Sequence, residues 1–598
     1  MEFPAFAMTL RGLLIAASLS AAVFAADFGD VSVRIEVVLG GENGRNRSEA
    51  TEYRAIIVNR SPARSHRVTV ILRGANIVQR AVEVAPASSA TLSLISTQPL
   101  YNDALVEIDG DRKEDGVEID RSRINAWTKS AKNEYFLLVC GELDRRGLMT
   151  EPEVIEGLKN AGGDSEIAYL KYQFPPREWS LNWMSYTGFD VVMLTAEEFA
   201  AMPEELRLTL LRYVESGGSL FMVGDWNPPA PWLGRRAILR DDGSFENVID
   251  EQRTISGDQV RVCYIGFGQI CATGSRDPRR FPKPLWQAIK DDWRSSPAGK
   301  SYWMVNDLNN DFPVADQFGV PVRGLFALML LFVIVIGPLN LFWLGMRKKR
   351  IHMLWTVPAI AVLACLAVAG FALFREGLAA TFRTEAFTIL DERAHRATTI
   401  GWMGFYTAVT PGEGLHFSSE AMVDPLIPES MNYRGGDQYR VIDLTNDTHL
   451  ASGWVASRIP AFFKLRKSET RRERLTLRAE ANGAVIVVNG LGAELRQLWY
   501  ADRNGKLHSA TAIAAGAQAR LTPAGDPAGD RPRALRDLFA NADWLSGLKT
   551  IESRPAQALL PGSYLALVDR SPFLEEPLAG IEARRGRSFI YGISAEGK

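Results

Sequence analysis

Apolar and polar positions change rhythm several times along this chain. Over residues 27–125 they alternate in short runs, and Val31-Ser32-Val33-Arg34-Ile35-Glu36-Val37 has the period of two that a half-buried strand requires. Similar runs at 53–58, 68–72 and 90–94, separated by polar turns, predict a β-sandwich. From 132 the pattern differs. Tyr135-Phe136-Leu137-Leu138-Val139 is continuously apolar, as in a strand buried on both faces. An acid-first helix over 151–161 stops at Gly162-Gly163, and strands follow at 166–170 and 191–194. Pro203 opens a helix to Ser216, and Gly217-Gly218 separates it from a strand at 219–223. Alternating strands and helices predict a parallel α/β domain over 132–295.

Two uncharged apolar runs then lie back to back, at 324–346 and 351–374. Each exceeds the ~20 residues that cross a bilayer as a helix. Arg347, Lys348, Lys349 and Arg350 separate them and should stay cytoplasmic, because Lys and Arg resist translocation. Both flanking arms are then extracytoplasmic. Gly337-Pro338 predicts a kink in the first helix, and the Asn340 amide within the span is suited to bonding between helices. Ala361, Cys365 and Ala369 recur at four-residue spacing, a small-residue stripe that permits close helix contact. Strand rhythm returns over 375–598, where runs at 475–478, 484–488 and 495–500 read as a meander closing at Asn504-Gly505. At the other end, Arg11, the apolar Leu13-Leu14-Ile15-Ala16-Ala17 and the small-residue exit at Ala25 read as a signal peptide over 1–25, with an uncleaved anchor helix as the alternative. The expected whole is a multidomain α+β membrane protein.

Composition narrows the function classes. A length of 598 residues is too great for one core. A net charge of -2 leaves no basic surplus for a phosphate backbone, so nucleic acid is not an expected partner. Four cysteines make no disulfide framework. Cys263 and Cys271 flank a hairpin with a glycine-bearing turn; a turn centred on Phe267 would set them face to face for a disulfide, and two small buried residues is the other reading. Phosphate-loop, His-Glu-x-x-His and Cys-x-x-Cys patterns are missing from the sequence, so no metal or cofactor is expected.

The segment Tyr213-Val214-Glu215-Ser216-Gly217-Gly218-Ser219-Leu220 resembles the corresponding part of class I glutamine amidotransferase-like domains, over about 132–295. That resemblance implies an amidotransferase-like, flavodoxin-like fold and a cysteine nucleophile activated by histidine. The six histidines are His66, His352, His395, His416, His449 and His508, so the domain contains none. A thiol without such a base stays mostly protonated. Cys140 also follows the first strand and lacks the Gly-x-Cys-x-Gly elbow of the family. The expectation is a catalytically inactive domain. Ligands of doubly wound domains bind beyond the carboxyl ends of the strands. Cys140, Glu142, Asp144, Thr195, Glu197, Asp225 and Asn227 occupy those ends and form a candidate ligand cleft, although such loops are polar in any case.

Gly337-Pro338-Leu339-Asn340-Leu341, the basic loop and Trp355-Thr356-Val357-Pro358, within this layout, resemble a family of bacterial membrane proteins encoded near MoxR-type ATPases and von Willebrand factor A proteins. The resemblance implies the bacterial cytoplasmic (inner) membrane and envelope partners of those kinds. The expected role is a membrane-anchored extracytoplasmic scaffold; the alternative is a ligand-sensing or hydrolytic protein using the carboxylate-lined cleft.

Overall fold

The computed structural model describes residues 25–39, 50–97, 100–122, 136–159, 168–172, 174–226, 237–239, 245–247, 250–255, 258–274, 277–293, 308–310, 312–314, 322–348, 350–376, 380–426, 440–480, 484–524, 538–539 and 544–593. Residues 1–24 of the expected signal peptide, Asn227 and Lys349 lie outside them. The protein is multidomain, β-rich and mixed α/β, with three large sheets among the described residues.

In the N-terminal sheet, Val31–Leu39 pairs antiparallel with Thr51–Asn59, and that strand pairs with Ser89–Ser96. His66–Gly74 pairs with Ile77–Val84 on one side and Leu100–Ile108 on the other. Val117–Asp120 joins the two groups into one path. Val31, Val33, Ile35 and Val37 face the interior, as their alternation dictates. The sheet folds over until Ile77–Val84 approaches Ser89–Ser96, so the predicted sandwich is one curled sheet. It also takes strands from far along the chain. Val441–Asp443 runs parallel to Ile77–Val84 in the register Val441↔Ile77, followed outward by Thr448–Ser452 and Leu415–Phe417. Gln79 Nε2 donates to Asp443 Oδ2 at 2.9 Å and the Ala81 N–H to Thr445 Oγ1 at 3.0 Å. The segment 415–452 therefore crosses the boundary expected at 375. A sheet edge needs a partner, and local periodicity does not say which strand supplies it.

In the α/β body, Ala168–Tyr172, Phe136–Cys140, Val191–Thr195, Ser219–Val223 and Gly268–Thr273 run parallel in that spatial order. Asp258–Ile265 and Asp250–Ile255 extend the sheet antiparallel. This is the doubly wound order 2-1-3-4-5. The helix Glu204–Glu215 ends at Gly217, whose φ of +104° suits glycine. A Cβ on Gly218 would lie 2.3 Å from the Tyr213 ring, which explains the glycine pair. The hairpin corrects the disulfide expectation for Cys263 and Cys271. Its turn has two residues, Gly266 and Phe267, so Cys263 pairs with Ile270 and Cys271 with Val262. A one-residue offset puts the two thiols on opposite faces, and no disulfide joins them.

The C-terminal sheet is the middle layer. Its core strands are Ala461–Thr470, Arg396–Tyr406, Thr381–Asp391, Arg587–Ile593 and Ser563–Val568 in order. Phe382, Ala386, Met403, Phe405, Phe463 and Leu465 pack into the N-terminal core from one face. Phe387, Trp402 and Phe462 point from the other face into a cluster that receives Phe267 of the α/β hairpin. Further along, the expected meander is rearranged: Val485–Gly490 pairs with Arg474–Ala479 and Gln518–Pro523, while Leu495–Ala501 pairs with Leu507–Ile513 and Ser563–Val568.

One helical stretch, Phe326–Met346, is long and apolar enough to cross a membrane. A second helix runs Met353–Glu376, with a shorter apolar stretch at Met353–Val368. Pro338 lies inside a π-helical turn, Val335–Leu339, which absorbs its missing N–H. Asn340 Nδ2 donates to Thr356 Oγ1 at 2.9 Å, so the amide does bond between the helices. The small-residue stripe does not act as expected within this chain: Cys365 is exposed and Ala361 half-buried, because the helices meet at Asn340 and Thr356. The Ala369 side chain lies outside the described set. Arg347 sits 4.3 Å from the Trp343 ring centre, Lys348 takes a φ of +53°, and Arg350 opens the turn Arg350–His352.

The middle sheet carries a testable pH dependence. Lys464 is buried, and burial followed by the Arg466 charge pushes it down to about 7, with Asp424 opposing. An unfolded lysine titrates near ~10.4, so between about 7 and that value the unfolded chain holds more protons. Stability should therefore rise with pH across this window. Thermal unfolding of the purified protein should show that rise, and Lys464→Met should flatten it; parallel profiles for the two proteins would refute the assignment.

Candidate functional site

The crevice lies where Phe136–Cys140 and Val191–Thr195 part, since their following loops leave the doubly wound sheet on opposite sides. Cys140 ends its strand fully buried and precedes the short helix Gly141–Arg145. Its thiol is pushed well above the usual range by burial, then by the charge of Glu198 and a hydrogen bond to it. Such a thiol is not a nucleophile at neutral pH.

Thr195 caps the helix Ala196–Ala201 in a capping box with Glu198. Glu198 Oε1 also accepts the Glu142 N–H at 3.2 Å, so one carboxylate ties the two loops together. Glu142 accepts from Arg145 Nη2 at 2.6 Å and Arg146 Nε at 2.9 Å. The Arg146 hydrogen bond, then that of Arg145, holds its carboxyl below the usual range. Glu197 is exposed, 3.9 Å from Arg146. Asp144 is half-buried on the same short helix, and Asp225 is exposed beyond Ser219–Val223. Behind them Arg279 Nη1 donates to the Arg146 carbonyl at 2.9 Å, and Arg279 is itself paired with Asp277 at 2.8 Å.

The structure thus brings Cys140, Glu142, Thr195 and Glu197 to one end of the sheet, with Glu142 and Glu197 beside arginines. No group of three His, Cys, Asp or Glu side chains suited to a metal occurs among the described residues. Four of the six histidines bond elsewhere: His66 to Asp109, His416 to Asp447, His449 to the Glu413 carbonyl and His508 to Asp502. Sequence reasoning missed Glu198, Arg145 and Arg146. The spacing Thr195-x-x-Glu198 was the available signal for the first.

No family model and no curated protein matches the chain. Among solved structures, an exo-chitosanase of Amycolatopsis orientalis is similar at 12% identity and a TM-score of 0.17. The alignment covers 94% of this chain, which spans 64% of that enzyme's length. A β-glucuronidase of Parabacteroides merdae follows at 8% identity and a TM-score of 0.13, covering 94% and 77%. Similarities this low carry no argument about fold or activity.

The register of the hairpin sets an outcome for thiol chemistry. Maleimide applied in denaturant without reductant should modify all four cysteines, Cys263 and Cys271 included. A mass spectrum showing those two protected until reduction would overturn the register.

Proposed function

We propose that this protein is a membrane-anchored extracytoplasmic scaffold of the bacterial inner membrane, holding envelope partners on a rigid, catalytically inactive body. The observation that carries this reading is the pairing of Val441–Asp443 with Ile77–Val84 across the apolar helices. Chain from before and after those helices shares one sheet and one core, so both arms lie on the same side of any membrane. A single crossing would separate them. The proposed topology therefore has two crossings, with Met353–Glu376 as the second, and at ~1.5 Å per residue its 24 residues are long enough for that. Exposed Leu330, Leu331, Leu354, Trp355 and Leu363 on the two helices support burial in lipid. The basic loop orients the hairpin with its turn in the cytoplasm and its arms outside.

The α/β body is read as amidotransferase-like on its strand order and the Tyr213–Leu220 motif, without the family's chemistry. Its thiol is buried beside a carboxylate where catalysis needs a base and an open elbow. The proposed partners are envelope proteins of the von Willebrand factor A type working with a MoxR-type ATPase, on the sequence resemblance.

Two tests address this reading. A reporter active only in the cytoplasm should work when fused after Lys349 and fail when fused after Ala379 or at the C-terminus; activity from the C-terminal fusion would refute the topology. Cys140→Ala should leave the cellular phenotype unchanged. Loss of function in that variant at normal protein level would point back to an enzyme, and loss only in Glu142→Ala with Asp225→Ala would point to a ligand or partner site at the strand ends.

A further inference from the structure

Outside the apolar helices and the turn that joins them, three large hydrophobic side chains are exposed among the described residues: Leu181, Val409 and Ile459. Two of these are neighbours. The Arg458 N–H donates to the Thr407 carbonyl at 2.7 Å, which sets the loop carrying Ile459 beside the loop carrying Val409. Thr407 fixes its own loop by donating from Oγ1 to the Val409 carbonyl at 2.6 Å.

The rim they form lies where the chain enters and leaves the apolar helices. Thr381 pairs with Tyr406 and Ala461 with Phe405, so both loops cap the same end of the middle sheet at which the strand Thr381–Asp391 begins. Glu376 ends the second helix five residues before Thr381, a reach of at most about 17 Å. On the entry side, Arg383 Nη1 donates to the Pro313 carbonyl at 3.1 Å, and Val314 packs where a Cβ on Gly404 would stand. Val322 opens the first helix eight residues later, a reach of at most about 28 Å. Two short tethers therefore hold this corner of the sheet against the helix ends. Next to Ile459, the Arg440 guanidinium lies 5.8 Å from the Trp454 ring centre in a shallow cup that Pro460 also lines. The Trp454 indole is itself buried, donating Nε1–H to the Val441 carbonyl, so the rim offers exposed aliphatic side chains beside a guanidinium, which match the chemistry of the headgroup layer.

We propose that the rim of residues 407–409 and 458–460 is seated in the headgroup layer of the membrane that the apolar helices cross, with Val409 and Ile459 as its apolar contacts. The inference rests on the membrane reading above and adds a second attachment, which fixes the body's orientation over the bilayer. The full-length protein is reconstituted into phosphatidylethanolamine–phosphatidylglycerol vesicles in a Cys365→Ser background, with the remaining native thiols buried. Single variants Val409→Cys, Ile459→Cys, Leu331→Cys and Ala394→Cys are labelled with an environment-sensitive fluorophore and quenched by lipids spin-labelled near the headgroup or deeper in the chain. Ala394 marks the opposite end of the same hairpin, roughly 34 Å away at ~3.4 Å per residue. The expected result is loss of emission at 409 and 459 with headgroup-labelled lipid, loss at 331 with chain-labelled lipid, and none at 394. Quenching at 331 with 409 and 459 as silent as 394 would overturn the rim proposal and leave the membrane reading standing. Silence at 331 would overturn the membrane reading and the rim proposal with it.

Discussion

Glu215 is where the α/β body and the middle sheet depend on one another. It ends the helix Glu204–Glu215 and lies largely covered against the middle sheet, accepting from Arg396 Nη1 at 3.1 Å and Ser468 Oγ at 3.3 Å. Burial pushes its carboxyl up, and the Arg396 charge opposes that. A carboxylate withdrawn from water costs several kcal/mol unless it is well partnered, so the joint holds only when both sides are in place. The Gly266–Phe267 turn packs against the same helix end. A Cβ on Gly266 would lie 2.7 Å from the Glu215 carbonyl oxygen, and this close approach carries Phe267 to within 6.0 Å of the Phe387 ring, edge to face. The end of the helix Glu204–Glu215 and the Gly266–Phe267 turn thus dock the α/β body onto the middle sheet.

Docking on one face would leave the other side of the middle sheet open, and the sequence shows that it is not. Thr381–Asp391 and Arg396–Tyr406 are buried along nearly their whole length, unlike the alternating strands of the N-terminal sheet. A sheet apolar on both faces needs two covering layers. One is the N-terminal sheet and the other the hairpin with the helix Trp544–Ser553. The α/β body touches the N-terminal sheet as well: Ser185 Oγ donates to Glu52 Oε2 at 2.7 Å and Tyr172 Oη to the Val38 carbonyl at 3.2 Å. The N-terminal sheet and the Gly266–Phe267 hairpin come from before the apolar helices, and the covered sheet and the helix Trp544–Ser553 from after them. The core therefore closes only when both arms have come together.

Legibility in the sequence followed the range of the interaction. The parallel strands at 136–140, 191–195 and 219–223 and the helix at 204–215 depend on local period and punctuation, and they stand within a residue or two of the positions read from sequence. The Asn340 amide needed a partner in a short helical hairpin, and Thr356 was close at hand. Other features depend on what composition does not carry. One residue fewer in the turn moves Cys271 to the opposite face from Cys263. The pairing of Val441 with Ile77 spans most of the chain, and only tertiary packing selects it. The pairing at the strand ends was hidden for a related reason: the carboxylates were visible as charges, but the pairing of Glu142 with Arg145 and Arg146 depends on a helix of five residues placing both guanidinium groups beside it.

The crevice itself is built to stay closed. In a doubly wound sheet a ligand enters between loops that diverge at the switch point. Here Glu198 joins those loops, accepting from Thr195 on its own side and from the Glu142 N–H on the other. Parting them to admit a ligand would break the Glu142 N–H bond to Glu198 and the contact of Glu198 with the Cys140 thiol, while the capping box within the second loop would stay intact. A hydrogen bond to a charged group contributes about 1.5–3 kcal/mol, so opening has a cost before any binding energy is gained. The contacts that Glu198 makes with Thr195, Cys140 and the Glu142 N–H therefore hold the two loops together at this end of the sheet.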